Sequence, residues 1–214
     1  MVSAFRDRLL EEAGPLGRDL TEKQVTAFET HFRLLREWGR RMNLTGLKDE
    51  PAIIRRHFLE PLAVADLLED GGRLIDLGSG NGFPAIPLKV LRPGLELILV
   101  ESSEKKSAFL WGVLRGIAAR NARVETRRVG KVRDLADLLP CRYLTLRAVR
   151  PKDLLKGNGR SILSPGGKAL FFVSADEVES LGSRPIAGLT FMEKRPLPSG
   201  PRSIVAVLGV VAAS

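Results

Sequence analysis

Apolar residues recur at every third or fourth position over the first 70 residues, which is the spacing of amphipathic helices. The first clear helix starts near Thr21, where Thr21-Glu22-Lys23-Gln24 has the form of a capping box. A second helix is predicted over 51–68, with Pro51 at its start and a bend at Pro61. The apolar stripe of the first helix consists of Val25, Phe28, Phe32, Leu35 and Met42.

From residue 71 onward, short apolar runs alternate with helical stripes, which is typical of α/β proteins. Strands are predicted over 73–78, 95–101, 123–129, 142–148, 168–173 and 203–210, with a weaker pattern over 189–195. Helices are predicted over 84–91, 104–119, 131–139, 151–163 and 175–181. The sequence therefore predicts a doubly wound, mostly parallel seven-stranded sheet over 71–214, behind a helical N-terminal extension over 1–70.

The first predicted strand runs into a turn with a glycine at every second position, Gly78, Gly80 and Gly82, and a helix is predicted to open at Pro84. Glycine allows a positive φ and lets a ligand approach the backbone closely. The start of the following helix offers unpaired N–H groups to an anion. This turn is therefore predicted to bind a nucleotide-type cofactor, although such a turn can also be purely structural.

The spacing of the glycines separates two classes of cofactor. The dinucleotide fingerprint Gly-x-Gly-x-x-Gly would place its third glycine at position 83, where this chain has Phe83. Asp76 followed by the three glycines instead resembles the first motif of S-adenosylmethionine-dependent methyltransferases. Glu101, at the end of the second predicted strand and 21 positions beyond Gly80, can accept hydrogen bonds from ribose hydroxyls. NAD enzymes also use such a carboxylate, so the glycine spacing carries the distinction.

The charge of the chain favours a polyanionic partner. Lys and Arg number 34 against 25 Asp and Glu, which gives a net charge of +9 and a pI near 10.2. Such a surplus attracts nucleic acid, although many basic proteins bind none, so clustering matters. The basic groups cluster at Arg36, Arg40 and Arg41; at Arg55, Arg56 and His57; at Lys105 and Lys106; at Arg120, Arg123, Arg127 and Arg128; and at Arg147, Arg150 and Lys152.

Other features limit the classes of protein to which the chain could belong. It has no run of about 18 apolar residues, and charged residues at positions 6–8 do not fit a secretory signal, so a cytoplasmic protein with no membrane partner is expected. The single Cys141 excludes an internal disulfide. Two histidines 26 positions apart, without a cysteine cluster, predict no metal site. The oligomeric state stays open, with a monomer as the expectation.

Several short motifs follow one another in the order of a known family. They are Asn43-Leu44-Thr45, Arg56-His57-Phe58-Leu59-Glu60, the run from Ile75 to Pro84, Arg92-Pro93, Lys105-Lys106 with Phe109-Leu110, Arg128-Val129, Arg147-Ala148 and Arg202. In this order the chain resembles, over nearly its whole length, the guanine-N7 methyltransferase family of small-subunit ribosomal RNA, also called glucose-inhibited division protein B or RsmG.

The resemblance implies a class I methyltransferase fold, S-adenosyl-L-methionine as the donor, and a guanine of 16S ribosomal RNA, free or in the small ribosomal subunit, as the acceptor. The family's cofactor contacts fall on Gly78, Phe83, Val129, Gly130 and Arg147. With the residues derived from the turn itself, the expected cofactor site also includes Asp76, Gly80, Gly82 and Glu101.

The chain departs from the family at five positions. Gly130 stands where an acidic residue is usual, which leaves only a backbone N–H for the adenine edge. Val173-Ser174 replaces a common lysine-glycine pair and removes a possible RNA contact. Glu60 and Glu101 replace aspartates and keep the charge. Donor binding is therefore expected to be retained, whereas the identity of the nucleotide is open.

The chemistry of guanine N7 asks little of an enzyme. Its in-plane lone pair is already nucleophilic, and methyl transfer to it releases no proton, so positioning replaces a general base. Arg147 is the expected catalytic residue, stabilising guanine O6 or a phosphate, with a structural ion pair as the alternative. An aromatic such as Phe83 could stack on an unstacked base. No function is assigned to His31.

RNA contacts are expected from five basic residues: His57, Lys105, Lys106, Arg128 and Arg202. For His57, a helix cap or a core hydrogen bond is an equal alternative. For the two lysines, the equal alternative is that they lie in solvent at the start of a helix. Two other functions remain open: a methyltransferase with a small-molecule or protein acceptor, and a non-catalytic RNA-binding module with this fold.

Overall fold

The computed structural model describes residues 2–147, 161–182 and 188–210. Seven strands form one sheet in the order β3-β2-β1-β4-β5-β7-β6. Only β7 runs antiparallel to its neighbours β5 and β6, whereas the pairs β3–β2, β2–β1, β1–β4 and β4–β5 are parallel. The strands are β1 Arg73–Leu77, β2 Glu96–Glu101, β3 Ala122–Thr126, β4 Cys141–Arg147, β5 Leu163–Ser174, β6 Thr190–Leu197 and β7 Gly200–Gly209. This architecture confirms the predicted seven-stranded, mostly parallel sheet.

The α-helices are α1 Val2–Ala13, α2 Glu22–Gly39, α3 Glu50–Ile53, α4 Glu60–Val64, α5 Ala85–Leu91, α6 Glu104–Gly116 and α7 Ala175–Gly182. Short 3-10 turns occupy Gly14–Leu16, Ala65–Leu67 and Val132–Leu135. None of the helices in the described part of the chain is long and apolar enough to cross a membrane.

Helix α2 begins at the predicted capping box. The Gln24 N–H donates to Thr21 Oγ1 at 3.3 Å, and the Thr21 N–H donates to Gln24 Oε1 at 2.9 Å. The two bonds satisfy backbone and side chain reciprocally and fix the first turn. The buried face of α2 carries the predicted stripe of Val25, Phe28, Phe32 and Leu35, joined by His31.

The predicted helix over 51–68 is interrupted rather than merely bent at Pro61. Helix α3 passes into a π-helical segment, Ile54–Leu59, before α4 begins at Glu60. A proline lacks an N–H, and its ring collides with the carbonyl four residues earlier, so the turn before it widens. The prediction of one bent helix is therefore wrong in form, although its residues and its buried face are those expected.

Other boundaries differ where the chain leaves regular structure early. Strand β3 ends at Thr126, and the predicted helix over 131–139 is reduced to one 3-10 turn at Val132–Leu135. Helix α6 ends at Gly116, close to Ala118, whose φ of 50° cannot continue a helix. Most of the predicted helix over 151–163 lies outside the described residues.

The sheet separates two hydrophobic cores. Successive strand residues point to opposite faces, so Leu74 and Leu97 belong to one core while Ile75 and Ile98 belong to the other. The first core is shared with the N-terminal helices, α5 and α6, as its aromatic members Phe5, Phe28, Phe32, Phe58, Phe83 and Phe109 show. The N-terminal helices are therefore packed on one face of the sheet, beside the glycine turn.

Candidate active site

The glycine turn lies at the carboxyl end of β1, next to the point where strand order reverses between β1 and β4. Gly78, Gly80 and Gly82 have φ values of 71°, 52° and 85°, a region that L side chains avoid. The N–H groups of Gly78 and Ser79 donate to Val100 O at 2.9 and 3.1 Å, which fastens the turn to β2. A Cβ on Gly82 would lie 2.5 Å from Ile86 Cδ1. The glycines are therefore required by the backbone conformation itself.

Glu101 closes the other side of the turn. Its Oε2 accepts the Gly80 N–H at 2.8 Å, and its Oε1 accepts the Ser103 N–H at 2.8 Å. Oε1 also accepts the Ser102 hydroxyl at 3.4 Å, so the buried carboxylate keeps one lone pair, on Oε2, for a ligand hydroxyl. The expected ribose carboxylate therefore also holds the turn and the start of α6 in place.

Asp76 lies beneath the turn on β1. Its Oδ1 accepts the Thr145 hydroxyl at 2.6 Å, whereas Oδ2 is buried without a hydrogen-bond partner. Burial raises the pKa of Asp76 to about 6. An unsatisfied buried carboxylate oxygen costs free energy, so it marks a position where a bound donor group would be stabilised.

Phe83 is enclosed by the two histidines of the chain. Its ring stacks on His31 with 4.2 Å between centroids and on His57 with 4.5 Å between centroids. Only 3% of Phe83 is exposed, so its ring cannot stack on an RNA base, and that expectation is wrong. A cofactor contact by Phe83 stays a prediction.

The histidines fasten the glycine turn to the N-terminal helices. His31 Nε2–H donates to Asn81 O at 2.9 Å, and His57 Nε2 lies 3.0 Å from Thr45 Oγ1. Asn81 Nδ2 donates to Leu44 O at 3.0 Å. Burial lowers the pKa of His31 to about 4 and, with a contribution from Arg147, that of His57 to about 3, so both imidazoles are neutral at pH 7.

His57 is 6% exposed and neutral, which contradicts the expected RNA contact and fits the alternative of a core hydrogen bond. The role of His31 was missed by the sequence reasoning. Its position between Phe28 and Phe32 on the apolar stripe of α2 is the signal that pointed inward. Together the two histidines form a buried support for the glycine turn.

Arg147 ends β4, beside the glycine turn, because Leu146 pairs with Leu77. Its Nη2 donates to Glu60 Oε2 at 2.6 Å, its Nη1 donates to the Arg56 carbonyl at 2.7 Å, and the guanidinium lies 4.5 Å from the centre of the Phe172 ring. Its Nε is buried without a partner. Burial lowers the pKa of Arg147 to about 10, still high enough to keep it charged at pH 7. The ion pair named as the alternative is thus present, and a contact with substrate stays a prediction.

Glu60 is the acceptor at the centre of this cluster and was recognised in the sequence only as a replaced aspartate. Its side chain is completely buried, and it accepts hydrogen bonds from Arg147, from Arg56 Nη1 at 3.3 Å and from the Ser199 hydroxyl. Arg56 Nη1 also donates to Ser203 Oγ at 2.6 Å. The cluster joins α4, β4 and the turn between β6 and β7.

Val129 and Gly130 follow β3 at the same edge of the sheet. The N–H groups of Gly130 and Lys131 each donate to Asp134 Oδ2 at 2.9 Å, which lowers the pKa of Asp134. The Gly130 N–H expected to face the adenine edge is therefore already hydrogen-bonded in this structure. Adenine binding through that group would require an exchange of partners.

The remaining predicted RNA contacts lie along the same edge. Lys105 and Lys106 occupy the first turn of α6, and Arg128 follows β3. None of these three side chains makes an ion pair or a hydrogen bond with another residue that the structure describes. Arg202 on β7 is highly exposed and pairs with Asp176 at 2.5 Å. Among the described residues, no three His, Cys, Asp or Glu side chains are placed to hold a metal ion.

Comparison with solved structures identifies the fold. A SAM-dependent methyltransferase from Aquifex aeolicus superposes with a TM-score of 0.58 at 14% identity, covering 75% of this chain and 94% of that one. Fibrillarin from Aeropyrum pernix, solved with natively bound S-adenosyl-L-methionine, gives a TM-score of 0.53 at 19% identity, covering 69% and 74% of the two chains. At these identities the likeness establishes a shared fold, which confirms the class I methyltransferase architecture.

Sequence comparisons identify the family. The family model described as rRNA small subunit methyltransferase G (GidB) matches residues 24–187. The ribosomal RNA small subunit methyltransferase G of Roseiflexus sp. (strain RS-1) is 38% identical over 197 residues, covering 84% of this chain and 82% of that protein. The protein of the same name from Chloroflexus aggregans is 36% identical over 177 residues, covering 82% and 74%. The chain therefore belongs to the rRNA small subunit methyltransferase G family.

Proposed function

We propose that this chain transfers the methyl group of S-adenosylmethionine to N7 of a guanine in 16S ribosomal RNA. The observation that carries the proposal is the glycine turn with its hydrogen bond from the Gly80 N–H to Glu101, set at the strand-order switch of a methyltransferase sheet. Membership of the family, whose named relatives act on small-subunit ribosomal RNA, supports the acceptor.

The described residues fit the donor. The positive φ of the three glycines forms a tight turn with room beside Gly80, Glu101 Oε2 retains a lone pair for a ribose hydroxyl, and Asp76 Oδ2 lacks a partner. When bound, S-adenosylmethionine supplies an activated methyl group on sulfur. We assign donor binding to Asp76, Gly78, Gly80, Gly82, Phe83, Glu101, Val129, Gly130 and Arg147.

The rest of the chemistry is positioning. Guanine N7 attacks with an in-plane lone pair and loses no proton in that step, so the site needs no general base. Both histidines agree with this requirement, because they are buried and neutral, with His31 bonded to Asn81 O and His57 stacked on Phe83. Arg147 is the group proposed to stabilise guanine O6 or a phosphate, for which the guanidinium fork is suited.

Three cations that have no ion-pair partner among the residues described by the structure support RNA as the acceptor. Lys105, Lys106 and Arg128 flank the turn at the carboxyl edge of the sheet, where they can neutralise phosphates. Arg202 lies at the same edge on β7 and would exchange its exposed partner Asp176 for RNA. A ribosomal RNA substrate, free or in the small subunit, also implies a cytoplasmic location.

The direct test incubates the chain with labelled S-adenosylmethionine and 16S ribosomal RNA that lacks N7 methylation. We expect label in 7-methylguanosine after nuclease digestion, and loss of that label when Gly78 or Arg147 is replaced. Label in a protein or a small molecule, with a rate insensitive to salt, would instead establish another acceptor. Failure to bind the donor in calorimetry would leave a non-catalytic RNA-binding module.

A further inference from the structure

The π-helical segment leaves the carbonyl oxygen of Arg56 without a backbone N–H donor. In this segment the Glu60 N–H donates to Arg55 O, five residues earlier. The same register would pair Arg56 O with the N–H of residue 61, but Pro61 has none. Arg147 Nη1 supplies the missing donor at 2.7 Å. The segment thus offers a carbonyl that is satisfied by a side chain from outside the helix.

Glu60 adds a negative charge one position before that proline. Because the carboxylate is completely buried, it would be costly without donors, and it receives them from Arg147, Arg56 and Ser199. The carbonyl and the carboxylate bind two different nitrogens of one guanidinium, Nη1 and Nη2. Two acceptors on a rigid helix define both the position and the plane of the Arg147 head group.

The remaining nitrogen of Arg147 has no hydrogen bond. Its Nε is buried and unpartnered, so the cluster does not satisfy all the donors that it collects. Two guanidinium groups face the Glu60 carboxylate, and Arg147 also interacts electrostatically with Asp76 beside the glycine turn. The buried, unpartnered Nε is unexpected in a purely structural ion pair and leaves one donor of Arg147 for an electron-rich acceptor.

We propose that Glu60, together with the Arg56 carbonyl, is the positioning site that fixes the guanidinium of Arg147 for methyl transfer. This inference rests on the proposed function, because it assumes that Arg147 contacts the substrate. Glu60 itself touches neither donor nor RNA and acts through Arg147. The helical N-terminal extension is then a part of the reaction centre rather than only a cover for the sheet.

The test replaces Glu60→Gln, which keeps the size of the side chain and removes its charge. We expect single-turnover methylation of 16S ribosomal RNA to slow about 100-fold, the order expected when a reacting group is misplaced by about 1 Å. Glu60→Asp keeps the charge and should recover most of the rate. The matched control is Glu96→Gln, since Glu96 also accepts from two arginines but at the amino end of the sheet, and its rate should stay within about twofold of wild type.

A double-mutant cycle separates positioning from general damage. In an Arg147→Lys background, Glu60→Gln should add less than about a threefold further loss, because the group on which it acts is already altered. Wild-type turnover alone tests the proposed function, whereas the ratios between variants test Glu60. The inference is overturned if Glu60→Gln keeps the wild-type rate or loses as much in the lysine background. Should Glu60→Gln fail to fold, Pro61→Ala takes its place, because it offers the Arg56 carbonyl a competing donor. Its loss of about threefold should vanish in the Arg147→Lys background, and a loss of the same size there would overturn the inference.

Discussion

The two ends of the sheet carry the same ionic motif in opposite settings. At the amino end, Glu96 accepts hydrogen bonds from Arg73 and Arg123, each at 2.9 Å, and its side chain is 36% exposed. At the carboxyl end, Glu60 accepts from Arg147 and Arg56, and its side chain is 0% exposed. Exposed pairs contribute about 0–1 kcal/mol each, whereas removing one partner of a buried pair costs about 3–5 kcal/mol. Burial, and not residue type, therefore distinguishes the surface network around Glu96 from the buried cluster around Glu60.

The cations that surround the two ends differ in the same sense. At the amino end Arg73, Arg123 and Arg142 all have carboxylate partners. At the carboxyl end Lys105, Lys106 and Arg128 have none among the described residues. Paired cations have little charge left for a ligand, while unpaired ones project it into solvent. Lys105, Lys106 and Arg128 thus place positive charge beside the glycine turn.

The largest effect should come from comparing two glycines with nearly the same φ. Gly82 at the carboxyl end has φ 85° and Gly72 at the amino end has φ 83°. An added Cβ would lie 2.5 Å from Ile86 Cδ1 at the first and 2.8 Å from Arg142 Cβ at the second. Both Gly→Ala changes should cost about 1–2 kcal/mol of folding free energy, because L residues avoid this region.

Only Gly82→Ala should weaken donor binding, on the order of 100-fold or about 2.7 kcal/mol, because its turn faces the proposed ligand. Calorimetric titration with S-adenosylhomocysteine measures that affinity, and urea unfolding measures the shared loss of stability. Equal donor affinities in the two variants would remove the functional distinction between the ends of the sheet.

The next effect is the pH dependence of the free energy of unfolding. Both histidines lie at the carboxyl end of the sheet, beside the glycine turn. Their pKa values fall from an ordinary 6.5 to about 4 for His31 and about 3 for His57, so the unfolded chain binds more protons as the pH drops below 6.5. Their stabilising contribution is therefore complete above that pH and declines below it. At pH 5, each histidine should lower the free energy of unfolding by about 2 kcal/mol relative to its value well above pH 6.5.

Asp76 has the opposite sign. Its pKa is raised to about 6, so its contribution is present at low pH and is lost as the pH rises through 6, which offsets about 1 kcal/mol between pH 7.5 and 5. Urea unfolding at these two pH values measures the sum. His31→Phe should reduce the difference by about 2 kcal/mol, whereas Glu96→Gln at the amino end should leave it unchanged, because the lowered pKa of Glu96 lies below this range.

The sequence predicted the features that depend on neighbouring residues and missed the contacts between residues far apart along the chain. Local signals are sufficient for the sheet, the capping box at Thr21 and the glycine turn, because glycine spacing and apolar periodicity act over a few residues. The sequence did not reveal that Glu60 meets Arg147, 87 positions away, nor that His31 stacks on Phe83. Such partners are set by how helices pack on the sheet, and a single sequence does not record that packing.

The errors have the same physical origin. His57 and Phe83 stand in a motif that reads as exposed and functional, yet the N-terminal helices cover both. The π-helical segment arises because Pro61 removes a donor within a helix whose apolar stripe is otherwise regular, and that stripe gives no sign of it. Sequence patterns therefore located the glycine turn correctly but could not identify which polar side chains the fold would bury.

A smaller effect should distinguish unpaired from paired cations. Replacing Lys105 and Lys106 together by Ala should weaken RNA binding about tenfold at moderate salt and reduce the slope of log K against log salt by about 1.4, or 0.7 for each phosphate contact. Arg73→Ala at the amino end should leave that slope unchanged, since its partner Glu96 already holds its charge. Filter binding to 16S ribosomal RNA between 50 and 200 mM salt gives both slopes, and identical slopes would show that the lysines face solvent only.

The smallest effect tests why Arg147 is held by a backbone carbonyl at all. Pro61→Ala restores an N–H that can donate to Arg56 O in the π register, in competition with Arg147 Nη1. Since Glu60 still binds Nη2, we expect only about a threefold slower methyl transfer, less than 1 kcal/mol. Pro93→Ala, in the turn before β2 at the amino end, is the matched control and should keep the wild-type rate. If Pro61→Ala also kept that rate, the carboxylate alone would position Arg147, and the widened turn would serve only to let α4 pack beside the sheet.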